Sequence, residues 1–231
     1  MRSPACGSGD LFTETRAIRF QPAQTGTPDL KRRRKGDDGV AVLPDETALA
    51  AAVRQRLSPE RFAHVQGVVA AAEELARRWD ADRKRARVAA WLHDVAKDEP
   101  PEALLKRARD FGIVFDEIMA RAPALWHSVV GAEIARREFG VMDEDVLAAI
   151  RFHTTGRAGM SLLEQIVFLA DLIEPGRSFP GVDDLRRKSR EDLPAAMIAA
   201  LDSVICHVIR QGGLLHPDAV AARNDILLRR S

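Results

Sequence analysis

The chain has 231 residues, 46% of them apolar, enough for one sizeable core and short for two large domains. With 35 Lys and Arg against 34 Asp and Glu, the net charge of +1 gives no general electrostatic argument for a nucleic acid or membrane partner. Only Cys6 and Cys206 are present, which excludes a disulfide framework and favours a reducing, cytoplasmic setting, and no apolar run approaches the ~20 residues that span a bilayer.

Residues 1–43 mix Gly, Pro, Ser, Thr and charge without periodicity and contain KRRRK at 31–35, so they read as a flexible basic extension. That segment holds eight basic and five acidic side chains, leaving 27 basic and 29 acidic in residues 44–231. From Pro44 onward the pattern is helical, and no strand is expected. Ser58-Pro59 places a capping residue before a proline suited to the first helical position. The helix it opens carries His64 and an apolar stripe of Phe62, Val65, Val69, Ala72, Leu75 and Ala76. Asp82 caps the next helix, which runs through His93-Asp94 until Pro100-Pro101 ends it and starts another. A helix from about Ala124 to Phe139 holds His127 and stops at Gly140, and Asp143 caps a segment that ends near His153. Ser161 with Glu164 forms a capping box, and the helix it starts reaches Asp171 before Pro175-Gly176. Two last helices, about 192–211 and 217–230, flank Gly212-Gly213, and Cys206 falls in an apolar stretch of the first, where its thiol is expected in the core. The fold class is all-α, a helical bundle over 44–231.

A divalent metal needs imidazole nitrogen and carboxylate oxygen converging from separate elements, because one helix face supplies only two or three ligands. His64, His93, Asp94 and Asp171 meet that need from three helices. An inward-facing Asp without a partner costs several kcal/mol, which a cation removes. Lys97, four residues after His93, would crowd that cation unless an anion such as phosphate lies between them. His127 is followed at i+4 by Gly131, whose missing side chain leaves room for a ligand or a crossing helix. HTTGR at 153–157 offers His153, the Thr154 hydroxyl, backbone donors and the fork of Arg157 as a phosphate wrap. Trp126, beside His127, reads as packing or as the wall of a base pocket, and His216 as a helix-entry residue.

RFAHVQGV (61–68), AAWLHDVAKDEP (89–100), LWHSVVGAEIA (125–135), AIRFHTTGRAGMSLLEQIVFLADLIEPGR (149–177) and FPGVDDLR (179–186) resemble the motifs of the YqeK group of HD-domain phosphohydrolases over roughly residues 58–200. The group has an aromatic hydroxyl before its first histidine, where this chain has Phe62 and no Tyr at all. The resemblance implies an α-helical HD fold and symmetrical cleavage of diadenosine tetraphosphate to two ADP. It also implies an iron-type metal, with manganese or another transition metal as alternatives, on His64, His93, Asp94 and Asp171. A metal-bound hydroxide would then attack phosphorus, Asp94 ligating and orienting the water. Lys97, His127, His153, Thr154 and Arg157 would hold the phosphates, and Arg177 the far end or the nucleotide. His127 and His153 are alternatively ligands of a second ion. Two other readings stay open: an HD phosphohydrolase for deoxynucleotides, cyclic nucleotides or guanosine tetraphosphate, and a non-catalytic nucleotide- or RNA-binding protein. No membrane is expected as a partner, nucleic acid is disfavoured, and an exposed apolar helix face would serve a homodimer.

Overall fold

The computed structural model describes residues 43–230. The expected basic extension, with Cys6 and KRRRK, therefore lies outside the described residues, apart from Leu43, which is buried against the core. In chain order the helices are α1 (Glu46–Arg56), α2 (Pro59–Arg78), α3 (Arg83–Leu92), α4 (Pro101–Phe111), α5 (Glu117–Ala120), a 3₁₀ turn (Pro123–Leu125), α6 (Trp126–Glu138), α7 (Glu144–Arg151), α8 (Leu162–Ile173), α9 (Val182–Glu191), α10 (Leu193–Arg210) and α11 (Pro217–Arg230). The fold is all-α, with no strand among the described residues.

Local chemistry sets most of the boundaries. The Ser58 hydroxyl accepts from Arg61 N, Asp82 accepts from Lys84 N and Arg85 N, and Asp143 accepts from Asp145 N and Val146 N. Ser161 and Glu164 close a reciprocal capping box on α8. One boundary differs from the sequence expectation. Helix α3 ends at Leu92 instead of running to Pro100, because the following amides bond three residues back: Val95 N to Leu92 O, Lys97 N to Asp94 O and Glu99 N to Ala96 O. His93-Asp94 thus sits in tight turns just past the helix, where the His93 ring caps the Ala90 carbonyl (Nδ1 to O 2.7 Å).

Helix α8 packs against α2, α3, α7, α9 and α10. It buries Leu163, Ile166, Val167, Phe168, Leu169 and Ala170. Phe168 is 1% exposed, so Phe168→Ala is expected to lower unfolding free energy by about 3–5 kcal/mol in urea titrations; a cost below ~1 kcal/mol would refute this central placement. No cap in the sequence marks α9 as a separate helix, yet it has a defined task. From it, Arg186 donates to the carbonyls of Ile173, Glu174 and Arg177, closing the end of α8.

Helix α10 departs from expectation twice. It is the one described helix long and apolar enough by composition to cross a bilayer, although no such run was expected. Its inner residues Ala196, Met197, Ala200 and Leu201 are nonetheless buried in the core. Cys206 is exposed rather than in the core, because the buried positions of α10 end at Leu201 and its last turns stand clear, with Ile209 also exposed.

Candidate active site

Helix α2 delivers His64 to the centre of the fold. Its Nδ1 lies 3.1 Å from Glu174 Oε1, a buried carboxylate at the end of α8. Donation from Nδ1–H leaves the Nε2 lone pair facing inward, 3.1 Å from Asp171 Oδ1 and 3.8 Å from Asp94 Oδ2. Two glycines make room for Glu174. A Cβ on Gly67 would stand 2.6 Å from its Oε2, and the same oxygen accepts from Gly176 N at 2.5 Å. Glu174→Gln should keep the fold but weaken metal affinity about 10–100-fold, read by chelator competition; unchanged affinity would rule out its orienting role.

The turn after α3 adds His93 and Asp94, both buried. Because His93 Nδ1 donates to Ala90 O, its Nε2 also points its lone pair inward, 3.6 Å from Asp94 Oδ2. Asp94 Oδ2 accepts from Arg61 of α2 at 3.0 Å, and Asp94 Oδ1 lies 3.2 Å from His127 Nε2 and 3.5 Å from His153 Nε2. His153 Nδ1 donates to Ile150 O (2.8 Å). Lys97 reaches the same corner, its Nζ 3.3 Å from His127 Nε2. It pairs with neither Asp94 nor Glu99, whose carboxylate holds Arg107. Across the cluster Asp171 Oδ1 accepts from Arg177 at 2.5 Å, and the Asp171 carbonyl accepts from Arg177 Nε.

The donor set fits a divalent ion. Four buried side-chain atoms among the described residues have no hydrogen-bond partner, and three of them, His64 Nε2, His93 Nε2 and Asp94 Oδ1, belong to this cluster. Burying lone pairs against lone pairs is costly unless a cation lies among them. Ligand atoms of His64, His93 and Asp94, of His93, His153 and Asp171, and of Asp94, His127 and His153 each fall within 4.8 Å of one another. The mixture of imidazole nitrogen and carboxylate oxygen suits iron, manganese or zinc-like ions.

Electrostatics keep His93, His127, Asp94 and Asp171 in the forms that a cation could bind. Complete burial pushes His93 down from 6.5 to about 4, and burial does the same to His127, so both rings are neutral at pH 7. Burial would raise Asp94, but the imidazoles of His93, His127 and His153 outweigh it and hold the carboxyl well below its usual range. Asp171 is likewise depressed, His64, His93 and Arg177 outweighing burial. His64 moves the other way: burial would lower it, but Asp171 and Glu174 raise it. For His93 and His127 the unfolded chain takes up protons near 6.5 and the native state only near 4. Native stability is therefore full above pH 6.5 and declines as pH falls toward 4. Metal-free protein should show a falling Tm across that window, with the slope reduced in His93→Gln; a flat profile would contradict neutral buried rings.

The HTTGR loop is built differently from a phosphate wrap. Gly156 takes φ +66°, donates its amide to Phe152 O, and packs so closely that a Cβ would meet Ala222 at 3.1 Å and Met160 at 3.2 Å. Arg157, expected on phosphate, instead closes its fork on Glu164 at 2.6 and 3.0 Å, because that carboxylate is buried and needs a cation. His153 is the loop residue brought to the cluster. Thr154 is partly buried, its hydroxyl 3.3 Å from Ser128 Oγ. Trp126 packs on Phe115 with ring centroids 5.3 Å apart and donates to Met119 O, and His216 pairs with Asp116 at 2.9 Å. Sequence reading missed Glu174 and Arg61. Each lies three residues from a candidate ligand on the same stretch, Arg61 before His64 and Glu174 after Asp171, and that i,i+3 spacing was the available signal.

Known proteins carry the same arrangement of sequence. The HD domain family profile matches residues 61–176. A Bacillus subtilis protein named bis(5'-nucleosyl)-tetraphosphatase, symmetrical, is 42% identical over 179 residues, 78% of this chain and 95% of that protein. A protein of the same name from Halalkalibacterium halodurans is 41% identical over 176 residues, 76% and 94% of the two chains. A Clostridium acetobutylicum crystal structure, described as a predicted HD superfamily hydrolase involved in NAD metabolism, superposes with a TM-score of 0.78 at 39% identity, covering 81% of this chain and all of that one. With the family's domain spanning half the chain and relatives this similar along nearly their whole length, the protein belongs to the HD-domain family, in its YqeK-type group.

Proposed function

We propose that the protein is a metal-dependent hydrolase that cleaves diadenosine tetraphosphate symmetrically into two ADP. The observation that carries this is the inward convergence of His64 Nε2, His93 Nε2 and the Asp94 and Asp171 carboxylates beside the partly buried Lys97. The relatives' names supply the substrate class. His64, His93, Asp94 and Asp171 would hold one divalent ion, iron by family resemblance. When bound, such an ion lowers the pKa of a coordinated water and neutralises a non-bridging phosphate oxygen.

The chain's own residues do the rest. Asp94, held ionised, orients the attacking water toward an inner phosphorus; the new P–O bond forms as the bond to the bridging oxygen of the departing ADP breaks. Burial lowers the Lys97 pKa, although Asp94 opposes this, and an anion at its Nζ would favour the ammonium form further. Lys97, His127, His153 and Thr154 are assigned to one stretch of phosphates and Arg177 to the other. His127 and His153 also form a ligand trio with Asp94, which would suit a second ion. The Lys97 cation 3.3 Å from His127 favours phosphate at that position instead. One metal per chain is therefore expected. The setting we assign is cytoplasmic, with no membrane or nucleic acid partner and a homodimer as the assembly to test.

The test is hydrolysis of diadenosine tetraphosphate by metal-loaded protein in ¹⁸O-water. Two ADP per substrate, one labelled on its β-phosphate, is expected. AMP with ATP, or no turnover with iron, manganese or zinc, would overturn the proposal.

A further inference from the structure

A cavity of about 710 Å³ opens between the end of α8 and the last turns of α10. Leu172, Phe179 and Val204 give it apolar walls, and Arg177, His207 and Arg210 line it with basic side chains. No carboxylate lines it, although residues 44–231 carry 29 acids against 27 Lys and Arg. The side chains of His207 and Arg210 make no hydrogen bond or ion pair among the described residues. The wall nearest the candidate active site is Arg177, whose Nε and one terminal nitrogen are held by Asp171 while Nη1 has no partner among the described residues. A pocket of this size with an aromatic wall and convergent cations is suited to a nucleotide, since small-molecule sites run roughly 300–1,000 Å³ with few, well-placed polar groups.

We infer that this cavity seats one of the two ADP arms of the substrate, an assignment that rests on the proposed symmetrical hydrolysis. A dinucleoside tetraphosphate has two equal arms that leave the attacked bond in different directions. Lys97, His127 and His153 gather on the Asp94 side of the ligand cluster, which gives cationic and polar groups to one arm only. Arg177 stands on the Asp171 side and leads into the cavity. There the guanidiniums of Arg177 and Arg210 meet phosphate oxygens, and the Phe179 ring offers a face to the adenine. Filling this site binds ground and transition states alike, so it governs KM more than kcat.

The experiment is ADP binding to metal-loaded full-length protein by equilibrium dialysis, with the KM for diadenosine tetraphosphate measured in parallel. Wild type should bind two ADP per chain, and Arg210→Ala and Phe179→Ala one each at the same ADP concentration. KM should rise about tenfold or more with kcat nearly unchanged. Arg210 is exposed, so its replacement leaves the core intact should Phe179→Ala fold poorly. A single ADP per chain in wild type, or two ADP and an unchanged KM in Arg210→Ala, would overturn the assignment. Two ADP bound without any cleavage of diadenosine tetraphosphate would support the cavity as a nucleotide site and overturn the hydrolytic reading instead.

Discussion

Asp94→Asn is expected to lower kcat/KM for diadenosine tetraphosphate by at least about 10³-fold, equivalent to roughly 4 kcal/mol of transition-state stabilisation. The size follows from how many partners converge on one carboxylate. Asp94 Oδ1 faces His127 and His153, while Oδ2 accepts from Arg61 and lies within 4 Å of His64 and His93. An amide in its place offers one acceptor and a donor that points at lone pairs, so the ion's site loses charge and geometry together. Metal content should fall in parallel, and the substitution should not unfold the protein, because removing the buried negative charge also removes its desolvation cost. Turnover within tenfold of wild type would remove Asp94 from the mechanism.

Lys97→Met should lower kcat by about 10²–10³-fold while metal content stays at the wild-type level. Lys97 Nζ, partly buried, is the cation at the His127–His153 corner, and methionine keeps the stem while deleting the charge. The two substitutions therefore separate by metal analysis: loss of activity with loss of metal for Asp94, loss of activity with metal retained for Lys97. A Lys97→Met enzyme that loses its ion would make Lys97 part of the metal site rather than of phosphate stabilisation.

What was legible in the chain was legible for local reasons. Ser58, Asp82, Asp143 and Ser161 announce helix starts because a cap satisfies amides two or three residues away, whatever the rest of the fold does. His64, His93, Asp94 and Asp171 stand out because carboxylates and imidazoles on apolar helices need a common partner. Arg157, expected on phosphate, is found on Glu164, a partner set by the burial of that carboxylate, a tertiary fact that a polar loop sequence does not encode. Cys206 shows the same limit: an apolar helical pattern reads alike whether or not a neighbouring element covers that turn. Glu174 was hidden for a further reason. Its side chain is defined by two glycines that leave space for it, and absent atoms leave little trace in a pattern of side chains.

Because the ligand cluster draws on α2, the turn after α3 and α8, an ion bound there cross-links segments far apart in the chain. Ligand that binds only the native state adds RT ln(1 + [L]/Kd), about 2.7 kcal/mol at a hundredfold excess over Kd. Resistance to heat and to proteases should thus track the free metal concentration. On the proposed metal dependence, protein starved of the ion is expected to lose fold stability as well as turnover.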